Sequence, residues 1–373
     1  MQDLKYFRCP ALADVHVHFR EPGYVHKETI LGGCQAAAAG GYTCVCTMPN
    51  LNPAPDSPET LEEQLSIIRR DAIIDVLPYA TITMGRKGTD PVDMAALKGM
   101  VAAFSDDGSG VQDDAVMLAA MRQAASLGVI IAAHCEDNRL LRGGYINECA
   151  YAREHGHKGI CSESEWGQIA RDLELAKRTG CAYHVCHIST KESVDLIRKA
   201  KARGVNVSCE TAPHYLLLTD ADLQEDGRFK MNPPLRSAED RDALIEGLLD
   251  GTIDMIATDH APHTAEEKSR GLEHSAMGIV GLPVAFPLLY TELVCKGIIT
   301  LDKLVDLMST APRRRFNLPS RDGDCAIFDL ETPYVIDSAG FPGHGHSTPF
   351  DGWEVKGRCV QTIHNGKTIY NLI

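Results

Sequence analysis

Short runs of apolar, β-branched residues alternate with helix-like segments along most of the chain. Eight runs have the pattern of strands: ADVHVHF, YTCVCTMP, DVLPYATITM, MVAAFSD, GVIIAAHC, CAYHVCHIS, VNVSCETAP and IDMIATDHAP. Helix-like segments separate most of them, at residues 28–39, 57–70, 113–127, 163–179, 190–202 and 237–249, and two more follow at 283–295 and 300–307. This count predicts an α/β protein, and a (β/α)8 TIM barrel fits it better than an open doubly wound sheet.

From about Gly323 the pattern changes to one that is typical of antiparallel strands. DCAIFDLETPYVID and VKGRCVQTIHNGKTIYNLI alternate, and Asn365–Gly366 predicts a tight hairpin turn. We therefore predict two parts. Residues 11–315 form the barrel, and residues 1–10 and 316–373 form a small β appendage.

Composition and charge exclude several classes of function. The 373 residues carry a net charge of −14, which argues against nucleic-acid binding because surfaces that bind nucleic acids are basic. No apolar run is long enough for a membrane span, and the start, MQDLKYFRCP, lacks the apolar core of a signal peptide. The thirteen cysteines form no CxxC pair of the zinc-binding type. We expect them to be buried as small hydrophobic side chains, in a protein of the reducing cytosol. We expect a cytoplasmic protein.

Polar side chains stand where the predicted strands end. In a barrel the chemistry gathers at the carboxyl ends of the strands, and imidazoles and carboxylates that converge there form a transition-metal site. The residues at these ends are His16, His18, Asn50, Asp106, Asp107, His134, His187 and Asp259. Adjacent strand residues face opposite ways, so only one of the two consecutive aspartates should enter the site. By the same reasoning His184, three residues before His187, should pack outside the barrel.

Several motifs occur in a fixed order from about residue 10 to the end of the chain. They are DVHVHFREPG, TMPN with Pro53, FSDDG, AHCED, HVCHIST, KMNPPLR, TDHAPH and STPFDGW. The ordered set resembles the amidohydrolase superfamily, and within it the dihydroorotases of the bacterial class I type.

The resemblance implies a centre of two zinc ions. His16 and His18 would bind one ion, His134 and His187 would bind the second, and Asp107 would bridge both. Sister enzymes bridge their metals with a carboxylated lysine at the end of strand four, where this chain has FSDDG and no lysine.

The resemblance also implies a reaction and its contacts. Asp259 would touch the first metal and transfer the proton as the chain cyclises N-carbamoyl-L-aspartate to L-dihydroorotate for pyrimidine biosynthesis. Substrate contacts would come from His18, Arg20, Asn50, Asn232, His263, Met277 and Gly278. The planar guanidinium of Arg20 suits the carboxylate of dihydroorotate, which a hydantoin or uracil ring lacks. A homodimer and an association with aspartate carbamoyltransferase are further expectations.

Two alternatives remain, and one feature departs from the family. A sister cyclic amidase, such as a dihydropyrimidinase or allantoinase, would lack the arginine of FREPG. A catalytically inactive scaffold would have lost metal ligands, whereas all six are present. Relatives carry several dozen residues before the HxH strand, and only thirteen precede Asp14 here, so we expect that either the appendage is trimmed or the start has been lost from this chain.

Overall fold

The parallel strands of this protein pair in chain order and return to the first of them. The computed structural model describes residues 5–373. Seven parallel strands form two sheets: β2 Leu12–Val17, β3 Tyr42–Thr47, β4 Asp75–Pro78, β5 Ile130–Ala133, β8 Ala182–Val185, β9 Val207–Thr211 and β10 Met255–Ile256. The strand orders in the two sheets are β2-β3-β4 and β5-β8-β9-β10. The alternation of parallel strands and helices confirms the α/β class.

Single parallel pairs join the two sheets. Phe104 pairs with Ala80 on one side and with Ile131 on the other, and Val17 pairs with His260. The run MVAAFSD therefore lies between β4 and β5 as expected, but it does not form a regular strand. Only Phe104 in this run has strand pairing on both sides, because the run turns at once into the loop that carries Asp106 and Asp107.

The helices begin and end close to where the sequence predicts. The long ones are α1 Ile30–Ala39, α2 Pro58–Asp71, α4 Asp114–Leu127, α7 Glu163–Thr179, α8 Lys191–Ala202 and α10 Ala238–Asp250. Capping explains their starts: Ser57 accepts a hydrogen bond from the Thr60 amide, and Asp113 accepts from Ala115. Gly128 ends α4 with a positive φ of 67°.

Shorter elements occupy the loops between them. The short helices are α3 Met94–Leu97, α5 Asn138–Leu141, α6 Ala150–His155, α9 Pro213–Leu217, α11 Ala265–Lys268 and α12 Gly271–His274. The last helical segments are α13 Ala285–Leu289, α14 Leu301–Val305 and α15 Ala311–Phe316, with π-helical turns at Tyr290–Val294 and Asp306–Thr310. One small parallel pair joins β6 Ile146–Asn147 to β7 Gly159–Ile160. No helix within residues 5–373 has the length and apolarity that a membrane crossing requires.

Three strands of the C-terminal part and one strand near the N-terminus form an antiparallel sheet with the order β1-β11-β14-β15. The strands are β1 Tyr6–Pro10, β11 Cys325–Asp329, β14 Arg358–His364 and β15 Lys367–Asn371, and a separate pair joins β12 Tyr334–Val335 to β13 Glu354–Val355. Asn365 and Gly366 have φ values of 51° and 71°, which confirms the predicted hairpin. Residues 1–4 of the predicted appendage lie outside the described residues.

Two clusters of buried side chains lie on opposite faces of the parallel strands. Along β3, Cys44 and Cys46 belong to a small cluster that also contains Tyr79 and Ala132, whereas Val45 belongs to the large cluster that includes the helices. This alternation indicates that the small cluster fills the space inside the parallel strands. Eleven of the thirteen cysteines are buried, and all are free thiols.

Candidate metal centre

His16 and His18 lie at the end of β2 and face two carboxylates. The Nε2 atom of His16 is 3.3 Å from Asp107 Oδ1 and 3.6 Å from Asp259 Oδ1. The Nε2 atom of His18 is 3.5 Å from Asp107 Oδ2 and 3.0 Å from Asp259 Oδ1. All four side chains are buried. Residues 241 positions apart in the sequence therefore meet at one point.

The two consecutive aspartates diverge, as the alternation of strand side chains predicts. Asp106 accepts hydrogen bonds from the backbone amides of Ile82 and Thr83 and holds that loop. Asp107 faces the histidines instead. Lys98, the nearest upstream lysine, is exposed on the surface. Asp107 is therefore the anion that this segment brings to the histidines.

His134 and His187 complete the group on the other side of Asp107. Asp107 Oδ1 lies 3.8 Å from His134 Nδ1 and 3.7 Å from His187 Nε2, and these two ring nitrogens are 3.0 Å apart. His187 and Asp259 both have positive φ values, of 32° and 48°. Non-glycine residues in this conformation are uncommon and cluster at functional sites.

The prediction for His184 is wrong. Its ring is buried and hydrogen-bonds to Ser208 and Glu210, on the same side of the sheet as His16 rather than among the outer helices. Strand alternation does not extend to His187, because β8 ends at Val185 and the backbone reverses at His187. The alternation of an ideal strand therefore predicts the wrong face of the sheet for His184.

The donor set fits a divalent transition metal. Four buried atoms in the described part of the chain lack a hydrogen-bond partner and belong to predicted ligands: His16 Nε2, Asp107 Oδ1, His134 Nε2 and His187 Nδ1. Ligand atoms of His16, Asp107 and His187 lie within 4.8 Å of one another, as do those of His16, His18 and Asp259. Imidazole nitrogen and carboxylate oxygen are zinc ligands, and buried polar atoms left without partners are costly unless an ion or water satisfies them.

All seven predicted substrate residues line one cavity of about 220 Å³ above these side chains. They are His18, Arg20, Asn50, Asn232, His263, Met277 and Gly278. Asp107, His134, His187 and Asp259 also line it, whereas His16 lies deeper. The cavity thus combines the candidate metal ligands with one buried cation.

Arg20 is that cation. Its Nε donates to the carbonyl of Pro262, and its Nη2 is 3.3 Å from His263 Nε2. Burial lowers the pKa of Arg20 to about 10, which leaves the guanidinium charged at neutral pH. No carboxylate among residues 5–373 forms an ion pair with Arg20, and a buried guanidinium left in this way at a cavity wall is suited to an anionic ligand.

His263 and the backbone at Gly278 form the wall beside Arg20. His263 Nε2 donates to the carbonyl of Met277, and Lys27 Nζ is 3.3 Å from Nδ1. Burial, with the nearby charges of Arg20 and Lys27, lowers the pKa of His263 to about 3, so the ring is neutral at neutral pH. Gly278 has φ +135°, and a Cβ there would lie 2.7 Å from Ala261.

Two asparagines in the cavity have hydrogen bonds that fix their orientation. Asn50 Oδ1 accepts from His18 Nδ1, and Asn50 Nδ2 lies 3.4 Å from Asp107 Oδ2. Asn232 Nδ2 donates to Glu136 Oε1 at 2.9 Å, which leaves its carbonyl oxygen as the group free to accept from a ligand. Glu136 was not among the predicted site residues, although its place in AHCED, two residues after His134, was a signal.

Comparisons with known proteins agree on one family. A model of the Dihydro-orotase-like family matches residues 7–193. Dihydroorotase from Bacillus caldolyticus is 53% identical over 369 residues, which cover 97% of this chain and 86% of that protein. Dihydroorotase from Geobacillus kaustophilus is also 53% identical, with the same coverage.

Solved structures of two sister amidases have a similar fold. L-Hydantoinase (dihydropyrimidinase) from Arthrobacter aurescens superposes with a TM-score of 0.87 at 26% identity, covering 98% of this chain and 85% of that one. Dihydropyrimidinase from Brevibacillus agri gives a TM-score of 0.83 at 22% identity, with the same coverage, which shows the fold alone.

Proposed function

This chain belongs to the dihydroorotase family, and on that premise we propose that it catalyses the reversible cyclisation of N-carbamoyl-L-aspartate to L-dihydroorotate. The reaction is a step of de novo pyrimidine (UMP) biosynthesis. It is a cyclic amide hydrolysis in reverse, and its substrate is a small anionic molecule.

One observation carries this proposal: a buried arginine lines the same cavity as a group of side chains of metal-ligand type, six in all. Five of those six line the cavity with Arg20, and the sixth, His16, lies directly behind them. The ligand-type side chains suit amide hydrolysis, and Arg20 suits the ring carboxylate of dihydroorotate. A neutral hydantoin or dihydrouracil offers no such anion, so Arg20 argues against a sister amidase.

We propose two zinc ions as the cofactor, the second with the weaker occupancy. His16 and His18 would hold one, His134 and His187 the other, and Asp107 would contact both. When bound, two such ions supply Lewis acidity that polarises the amide carbonyl and lowers the pKa of a coordinated water from 15.7 toward about 7.

The chain's own groups would move the proton and orient the substrate. Asp259 adjoins the ligand histidines, so its carboxylate can take a proton on the hydrolytic path and return it to the leaving amide nitrogen. Arg20 would bind the ring carboxylate with its planar fork of donors. The carbonyl oxygen of Asn232 would accept from a ring N–H, while His263 and the Met277–Gly278 backbone would close the carboxylate side.

We also propose a finer description of the fold. Residues 11–315 would form a (β/α)8 barrel, supported by parallel pairing that runs from β2 to β10 and back to Val17. Residues 316–373, together with residues 5–10 of the predicted segment 1–10, would form the small β appendage, in which β1 pairs with β11. A cytoplasmic homodimer, which associates with aspartate carbamoyltransferase, completes the proposal.

The experiment is a turnover assay with purified, zinc-loaded protein. L-Dihydroorotate, hydantoin and dihydrouracil are compared as substrates at equal concentration. We expect L-dihydroorotate to be hydrolysed at least 100-fold faster than either neutral ring. Faster turnover of hydantoin or dihydrouracil would assign the chain to a sister amidase, and no turnover of any of the three would indicate an inactive scaffold.

The pH dependence of the equilibrium is an independent readout. Ring closure converts a carboxylate and a ureido nitrogen into a neutral imide and water, so it consumes one proton. By linkage the ratio of L-dihydroorotate to N-carbamoyl-L-aspartate should rise about tenfold for each pH unit of acidification. A ratio that does not change with pH would contradict the proposed reaction.

A further inference from the structure

Three polar side chains form a buried chain of hydrogen bonds behind His16, outside the cavity. Glu210 Oε1 is 2.7 Å from His16 Nδ1, and Glu210 Oε2 is 3.0 Å from His184 Nε2. His184 Nδ1 is 2.7 Å from Ser208 Oγ. Each of these side chains is at most 3% exposed. Ser208 and Glu210 are two residues apart on β9, which puts them on one face of the strand.

The chemistry of the acceptor fixes which atom donates in each contact. An ionised carboxylate only accepts, so both imidazole nitrogens that contact Glu210 must carry hydrogen. In the neutral form of His184, Nδ1 is then unprotonated and accepts from the Ser208 hydroxyl. In the neutral form of His16, the proton is on Nδ1, so the Nε2 lone pair is free. That Nε2 atom has no hydrogen-bond partner among the described residues and faces Asp107 and Asp259.

We propose that Glu210 is a positioning residue, which keeps His16 in the one tautomer whose Nε2 can bind a metal ion. His184 and Ser208 hold the Glu210 carboxylate in place. The negative charge behind the imidazole also makes His16 a more basic ligand, as carboxylate–histidine pairs do at other metal sites. The inference rests on the proposed function, because it takes His16 to be a metal ligand.

The neighbouring histidine is positioned by a different kind of group. His18 Nδ1 contacts Asn50 Oδ1, a neutral amide oxygen, at 2.9 Å. The carboxylate at His16 is therefore not a general requirement of the HxH pair. A carboxylate therefore contacts His16 and a neutral amide contacts His18. The carboxylate, Glu210, lies on the side away from the cavity, whereas Asn50 lines the cavity.

The test is Glu210→Gln, which keeps the side-chain shape but removes the charge. Its amide has one accepting oxygen and an NH2 group, so one of the two imidazoles must change tautomer or lose its hydrogen bond. Metal is removed, and the affinity of the apo-protein for Zn²⁺ is measured by competition with a chromophoric chelator. We expect the tighter of two Zn²⁺ affinities to fall about 10- to 100-fold. The d–d absorption of the Co²⁺-substituted protein should also change.

The matched control is Asp172→Asn. Asp172 is an equally buried carboxylate on α7 that accepts from the Tyr183 hydroxyl at 2.8 Å and from Arg171 at 2.9 Å. Loss of the Asp172 charge should lower the melting temperature and leave the Zn²⁺ affinity unchanged. A merely structural role for Glu210 would give the same result as this control.

The outcomes separate this inference from the function on which it rests. A folded Glu210→Gln protein whose Zn²⁺ affinity and Co²⁺ spectrum match wild type overturns the inference. Wild-type protein that binds no divalent metal overturns the proposed function instead. If Glu210→Gln does not fold, Ser208→Ala removes only the outer hydrogen bond. We then expect a Zn²⁺ affinity several-fold below wild type, and an unchanged affinity overturns the inference.

Discussion

His187 and Asp259 have the least favourable backbone conformations among the candidate ligands. Both are non-glycine residues with positive φ, a conformation that costs on the order of 1–3 kcal/mol. His187 lies two residues after the end of β8 and Asp259 three residues after the end of β10, and the backbone turns at both residues. Residue type and strand position pointed to both residues from the sequence. Their orientation depends on this backbone reversal, which no residue preference in the sequence reveals.

Arg20 allows a test at the scale of a single residue. Arg20→Ala removes charge-assisted hydrogen bonds worth about 1.5–3 kcal/mol, so KM for L-dihydroorotate should rise about 10- to 100-fold. Arg20→Lys should restore only part of this loss, because an ammonium group cannot form the forked contact. Steady-state kinetics measure both variants, and exposed Arg69→Lys is the control. Wild-type KM in Arg20→Lys would remove the proposed role.

At the scale of elements, the sequence predicted those features that local patterns determine. The helix predicted at 57–70 is Pro58–Asp71, because Ser57 and Pro58 mark its start, and the Asn365–Gly366 hairpin forms as expected. Pairings between distant residues carry no local signal. Glu136 reaches Asn232, 96 residues away, and the irregular run around Phe104 is defined by strands on both sides. Such features could not be predicted from one sequence.

A substitution of Gly278 tests whether the loop that carries it contacts the substrate. Gly278→Ala would place a Cβ 2.7 Å from both Cβ and the carbonyl oxygen of Ala261, at a φ of +135°. The Met277–Gly278 backbone must then move, so we expect KM to rise at least about tenfold while zinc content stays the same. The control is Gly251→Ala, at φ +81° with no atom within 4 Å of the added Cβ. It should cost about 1 kcal/mol of stability and leave KM unchanged.

Substrate binding and zinc content distinguish the two glycine variants. Zinc is measured by elemental analysis and stability by thermal unfolding. A Gly278→Ala protein with wild-type KM would show that this backbone does not contact substrate. A loss of zinc in the same protein would show that the loop supports the metal ligands instead.

At the scale of the whole molecule, the candidate ligands tie together strands that are far apart in the chain. The first and last parallel strands already meet: Asp14 accepts from the Thr258 amide, and the His18 amide donates to the His260 carbonyl. The candidate ligands add further contacts between these two ends, because His16 lies beside Asp259. A metal ion bound there would therefore cross-link several strand ends at once.

Removal of the metal should consequently destabilise the entire fold. A ligand that binds only the native state at 1,000 times its Kd adds about 4 kcal/mol, so a chelator should lower the melting temperature by several degrees and added Zn²⁺ should restore it. Differential scanning calorimetry measures both transitions. Among the carboxylates of residues 5–373, only Asp107 faces all four histidines, so the melting temperature of the Asp107→Ala protein should respond much less to the chelator. Bicarbonate should have no effect, because the anion that we propose to contact both ions is Asp107 rather than a carboxylated lysine. A wild-type melting temperature that is the same with chelator and with Zn²⁺ would contradict the cross-link.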